Sequence, residues 1–225
     1  MIITETMRYI LVIIALMCCS ISSRAQTDST KVKKPKFTVR ENKPDALVWD
    51  KRKTKAKILS DDVNSDGLRH ITTSERTTMS SSEDKAFIVS LRAFESESDG
   101  VRYCLEWKYV RSGVEPNIKE GSPVLLKLGN DSILSLSIND VYTPIPYITV
   151  VYYSTIKLYT TYFFTYISEE ELTLLGNGVK KVRAEIDNAP FDVVLKKDNI
   201  SQFILEEYGL IKELLKEKKS FYDDF

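Results

Sequence analysis

Between Val101 and Val110 the chain reads VRYCLEWKYV, with Val101, Tyr103, Leu105, Trp107 and Tyr109 alternating against Arg102, Cys104, Glu106 and Lys108. Successive side chains of a strand point to opposite faces, so this strict period of two marks a half-buried strand. AFIVSLRAF upstream repeats the pattern with Phe87, Val89, Leu91 and Ala93 on one face. ESESDG, Glu95 to Gly100, separates the two runs as a turn. The pair predicts an antiparallel hairpin with a dry side and a wet side, and it assigns Cys104 and Glu106 to the wet one. PVLLKL and SILSLSI around Gly129–Asp131 predict a second hairpin.

The stretch YITVVYYSTIKLYTTYFFTYI, Tyr147 to Ile167, holds one charge, Lys157. Its threonines and tyrosines favour pleated structure over a membrane helix. A lipid-facing barrel is disfavoured too, because the neighbouring strands carry charges on their second face. A long strand, or two strands with a bend near Ser154–Thr155, is expected. The even positions, Ile148 through Tyr166, are the greasier and are expected to face the core. Tyr147, Tyr153 and Tyr159 then share the odd face. They are the candidate ligand-binding residues, since tyrosine supplies apolar area with a polar tip suited to sugar rings or a protein partner.

SEEELTLLGNG follows, with Ser168 as N-cap and Glu171 completing a capping box of a short helix. VKKVRAEI and FDVVL alternate again, placing Val182, Ala184, Ile186, Phe191, Val193 and Leu195 inward. The period then changes to helical: Ile200, Phe203, Ile204, Tyr208, Ile211 and Leu215 form one stripe, with Asn199 as the expected cap. The expected fold is α+β: mainly an antiparallel β-sheet or sandwich, with one short helix and a C-terminal amphipathic helix packed on the sheet.

Residues 1–25 have the layout of a secretory signal. Arg8 precedes an apolar run from Tyr9 to Cys19, and Ser23 and Ala25 suit cleavage before Gln26. Translation starts at Met1 or Met7. Cys18 and Cys19 stand where a lipid-acceptor cysteine would, which raises a lipid-anchored alternative, although Met17 fits the preceding position poorly. Residues 26–60 read as a basic, flexible leader, rich in lysine and poor in apolar residues except around Trp49. Residues 61–225 read as one β-rich domain. Lysine plus arginine balance aspartate plus glutamate at 32 each, and an exported chain excludes nucleic acid as partner. Beyond the signal only Cys104 remains, so no disulfide within the chain is expected.

His70 is the sole histidine, so nucleophilic triads and Cys/His zinc sites lack their parts. No cofactor is expected. Asp62, Asn64 and Asp66 in DDVNSDG match the first half of a calcium loop and are the candidate metal residues. Thr73 stands where the twelfth, bidentate acid belongs, so a turn is the simpler reading. Glu106 beside Trp107 is the acid closest to an aromatic context. It lies on the strand face opposite that ring.

The ending SRA before Gln26, the lysine-rich leader and the closing strand, short helix, hairpin and helix resemble exported β-rich proteins of Bacteroidetes type. The resemblance implies O-glycosylation at the DST and DSI triplets, hence at Ser29 and Ser132. The expected function is a non-catalytic cell-envelope protein, a binding or structural module in the periplasm or at the cell surface. Its expected partner is an envelope polysaccharide or another envelope protein, with no transmembrane helix in the mature chain. The alternatives are a carboxylate-dependent hydrolase of envelope glycans and a lipid-anchored subunit of an envelope assembly.

Overall fold

The computed structural model describes residues 54–81, 85–144, 146–151 and 154–223. The expected signal, most of the leader, Cys18, Cys19, Ser29 and Tyr153 lie outside the described residues. Among the described residues eleven strands are formed: β1 Ile58–Val63, β2 Arg69–Thr73, β3 Arg76–Ser81, β4 Lys85–Ser96, β5 Gly100–Ser112, β6 Pro123–Leu128, β7 Ile133–Tyr142, β8 Tyr147–Val151, β9 Ser154–Ile167, β10 Val179–Ile186 and β11 Ala189–Val194. Helix α1 spans Glu169–Leu174 and runs into a 3-10 turn at Leu175–Asn177; α2 spans Ser201–Asp223. The strand order is β1-β2-β4-β5-β9-β7-β6-β10-β11, with β3 also on β4 and β8 also on β9. Every pairing is antiparallel. β1 starts inside the expected leader, because Ile58 and Ser60 pair with Thr73 and Thr72.

Strand β7 turns this sheet into a sandwich-like fold. Its first half pairs with β6, and from Ile138 onward it pairs with β9. The register shifts between Ile138 and Asp140, a bulge that bends the strand. Asn139 fills the break: its Oδ1 accepts the Tyr166 amide at 2.9 Å. Leu126 and Leu136 from one side of the bend thereby share a core with Phe87, Trp107 and Phe163 from the other.

Trp107 anchors that core. Its ring lies 5.4 Å from Phe87 and 6.3 Å from Phe163, and its Nε1–H donates to Thr165 Oγ1 at 3.0 Å. Phe191 of β11 reaches over, 5.9 Å from Phe87 and 5.1 Å from Tyr109. The fully buried Phe87, Trp107, Tyr109 and Phe163 side chains each contribute roughly 1.5–3 kcal/mol by transfer alone.

Two turns fix the connections. Asp187 and Asn188 sit at φ 58° and 60°, the left-handed pair that joins β10 and β11 as a tight hairpin. Gly129 touches the chain after α1: its N–H donates to Gly178 O at 2.9 Å. A Cβ there would lie 2.1 Å from Asn177 O, so only glycine fits.

The capping box at α1 forms as expected, with Ser168 and Glu171 reciprocally bonded. At α2 the cap moves by one residue. Asp198 Oδ1 accepts the amides of Ile200 and Ser201, both at 3.1 Å, while Asn199 Nδ2 donates to Thr77 O at 3.2 Å. Asp198 also accepts Val179 N–H at 3.1 Å, so its carboxylate joins α2 to β10. Ile200, Phe203, Ile204 and Ile211 are buried as the helical stripe requires.

The tyrosine-rich run takes the two-strand form of the expectation, but its faces differ. β8 and β9 pair as a hairpin that brings odd residues of one strand beside even residues of the other: Tyr147 pairs with Leu158 and Thr149 with Ile156. Within β9 the odd residues Thr161, Phe163 and Thr165 enter the main core beside Trp107. The even residues Leu158, Thr160, Tyr162 and Phe164 are buried on the opposite face. The centre of the large sheet therefore has no wet side.

Candidate functional site

That second face carries the polar groups of greatest chemical interest. It is built from the alternate residues of β4, β5 and β9 that point away from Trp107. Cross-strand register aligns Arg92 with Cys104 and Tyr166, Ser90 with Glu106 and Phe164, and Ile88 with Lys108 and Tyr162. Arg92 and Glu106 form an ion pair on the diagonal, both almost fully buried. The Arg92 guanidinium lies 5.6 Å from the Phe164 ring centre. Lys108 sits 5.5 Å from the Tyr162 ring and 3.9 Å from Glu75 Oε1. Burial pushes the Glu106 carboxyl up, and the Arg92 guanidinium pulls it back.

Cys104 was expected on a wet face and is instead wholly buried. Burial pushes its thiol up, the opposite of what a nucleophilic cysteine requires. Glu106 is desolvated not by the neighbouring Trp107 ring but by burial of its own face. His70 pairs with Phe94 across β2 and β4, its ring 4.9 Å from the phenyl in an edge contact. Its Nε2 is buried with no hydrogen-bond partner among the described residues. Burial, and then Arg92, hold its pKa low. On this face burial disfavours the charged forms of the imidazole and the thiol, and the carboxyl is engaged by arginine.

The structure disperses the residues picked out for binding. Tyr147 shares a face with Leu158, and Tyr159 stands opposite Arg111 on the alternate face of β9. The two rings therefore belong to different sides of the sheet. In the calcium-like loop, Asn64 Oδ1 accepts the amides of Asp66 and Leu68, both at 2.9 Å, so that oxygen is spent on the turn. Asp62 lies on β1 opposite His70, and no group of three or more acidic, His or Cys residues among the described residues is placed to hold a metal. Ser132 is exposed at the tip of the β6–β7 hairpin, its hydroxyl donating to Asn130 Oδ1 at 2.7 Å.

Sequence reasoning missed Glu207. It lies on the buried stripe of α2 with no exposed surface. Its spacing gives the signal, three and four residues after Ile204 and Phe203 and four before Ile211.

The fold and these groups define a sandwich-like antiparallel β-protein sealed by a C-terminal helix, with its buried acids tied into the scaffold. No known protein family, curated relative or solved structure matches the chain. Among the described residues no helix is long and apolar enough to cross a membrane.

Proposed function

We propose that this chain is an exported cell-envelope protein acting as a non-catalytic structural and binding module, joined through strand β8 to a second copy of itself. The supporting observation is the contrast among strand edges. β1 carries Asp61 and Asp62, β3 carries Arg76, and β11 carries Pro190 and Asp192. Such residues protect an edge against further pairing. β8, YITVV, has none of them, pairs only with β9 among the described strands, and leaves Ile148 57% exposed. A second copy running antiparallel about a two-fold axis meets no like charge there, whereas β1 would face its own acids. The separation of Tyr147 from Tyr159 favours this reading over a ladder of tyrosines stacked on a polysaccharide.

Sedimentation of the mature chain tests it. Dimer that Ile148→Lys converts to monomer, while Val194→Lys on β11 leaves it intact, is the expected result. A wild-type monomer at every concentration, or a dimer indifferent to Ile148→Lys, overturns the β8 assignment. Export is checked separately by the mass of the envelope-fraction protein, which is expected to begin at Gln26.

A further inference from the structure

Along one edge of β4 the partner strand changes. β2 pairs with Arg92 to Glu95, β3 pairs with Lys85 to Val89, and the chain crosses between them through Ser74 and Glu75. Ser90 and Leu91 fall in the gap, where a ladder would otherwise satisfy the backbone. The Leu91 carbonyl accepts from Thr73 Oγ1 at 2.6 Å. Its N–H donates to Glu207 Oε2, reaching in from α2, at 3.0 Å.

The other oxygen, Glu207 Oε1, lies 3.1 Å from Ser74 Oγ. That hydroxyl also lies 3.0 Å from the Lys55 carbonyl and accepts the Lys57 amide at 3.1 Å. A serine hydroxyl owns one proton, and here two oxygen neighbours compete for it. The Lys55 carbonyl has none to give. If serine donated to a carboxylate, two oxygens would face each other across 3.0 Å with nothing between them. If the carboxyl supplies a proton, every one of these contacts of Ser74 is a hydrogen bond: Glu207 donates to Ser74, Ser74 donates to Lys55, and Ser74 accepts from both Lys57 and Glu207.

We propose that Glu207 is held as the neutral acid and works as a proton-dependent latch, fastening α2 and the entry to β1 onto β4 where its ladder is interrupted. Ionisation releases the Oε1 proton to solvent, costs the network one hydrogen bond and leaves a charge in the interior. The charged group bearing on Glu207 from β3 is Arg76, whose guanidinium lies 4.3 Å from the Phe203 ring and also feels Glu206. From β2, the crossing that follows it and β4, the facing groups are the uncharged Thr73, Ser74 and Leu91, each hydrogen-bonded to the carboxyl. Lys55 and Lys57 meet the network through their backbone, with exposed side chains. Burial outweighs Arg76 and the hydrogen bonds, and the carboxyl is pushed up to about 8.

A carboxyl raised on folding binds extra protons in the native state. Its stabilising share is complete below the unfolded value of 4.5 and is lost as pH rises through about 8. The inference is independent of the proposed function. Carbon-13 carboxyl titration of the full chain tests it directly. One glutamate titrating with a midpoint near 8, absent from Glu207→Gln, is expected. The variant should also lose less denaturant midpoint than the wild type as pH is raised from about 5 to about 9. Glu207 titrating near 4.5, or Glu207→Gln losing as much midpoint at neutral pH as Glu207→Ala, overturns the latch. If both variants fail to fold, residue-specific assignment of the wild-type carboxyl signals decides, because Glu106 is the other buried glutamate whose carboxyl is pushed up and the high signal must belong to Glu207 for the latch to stand.

Discussion

Glu106 and Glu207 are both glutamates taken out of water, and the molecule deals with them differently. Glu106 sits on a sheet face against the guanidinium of Arg92. Glu207 projects from the buried face of helix α2, bonded to a backbone amide and a serine hydroxyl. The first burial is offset by an opposite charge, which must itself be desolvated. The second is offset by a proton, which removes the charge. A pair of ions resists small changes of pH but depends wholly on its partner, whereas a neutral acid tolerates an amide in its place and responds to pH. The two acids also do different structural jobs: one lies over an intact ladder, and the other replaces a missing rung.

Breaking the pair is expected to give the largest effect. Arg92→Ala strands Glu106 without its counter-charge and should cost about 3–5 kcal/mol in chemical denaturation. At the other acid, Glu207→Ala leaves the Leu91 amide unsatisfied and should cost about 1–3 kcal/mol. Glu207→Gln keeps an acceptor for Leu91 and a donor for Ser74, and its loss at neutral pH should stay below about 1 kcal/mol. If Gln and Ala are equally harmful, the contrast between the two acids fails.

Replacing both ions at once sharpens the comparison. Arg92→Met with Glu106→Leu should be close to neutral, and in any case cost far less than Arg92→Ala, because neither charge is left stranded. A thermal melt of the double variant checks this. The smallest effect is expected outside the interior. Asp192 accepts from Arg183 at 2.6 and 2.8 Å and from Lys181 at 2.6 Å, and those cations hold its carboxyl well below the usual range. The pairs are largely solvated, so Asp192→Asn should leave the denaturation midpoint unmoved within error. A large loss there would show that geometry, and not burial, sets the value of ion pairs in this protein.

Much of the fold is legible in local pattern. The alternation at Phe87–Ala93 and Val101–Tyr109 gives β4 and β5, and their buried Val89–Trp107 pairing follows from the turn between them. Ser168 and Glu171 announce α1, and the Ile200–Ile211 stripe announces the buried face of α2. Less of the candidate site is legible. Tyr147 and Tyr159 look alike in sequence but fall on opposite faces, because the chain reverses between β8 and β9. Asn64 looks like a metal ligand until its oxygen is seen to hold a turn. Asn199 looks like a cap, but an adjacent aspartate can bond α2 and β10 together.

The chain's own alternation determined that it would pleat, where its hairpins would turn and which helical stripe would be apolar. These are properties of neighbours in sequence, carried by backbone geometry and side-chain period. Tertiary structure decided which residues lost their water. The bend at Ile138–Asp140 assembles one core from distant strands, Cys104 and Glu106 on the charged face of β5 are buried although its pattern reads as wet, and the break beside Leu91 draws in an acid from a helix more than a hundred residues away. Period reports the direction of a side chain; only long-range packing supplies what lies there to meet it.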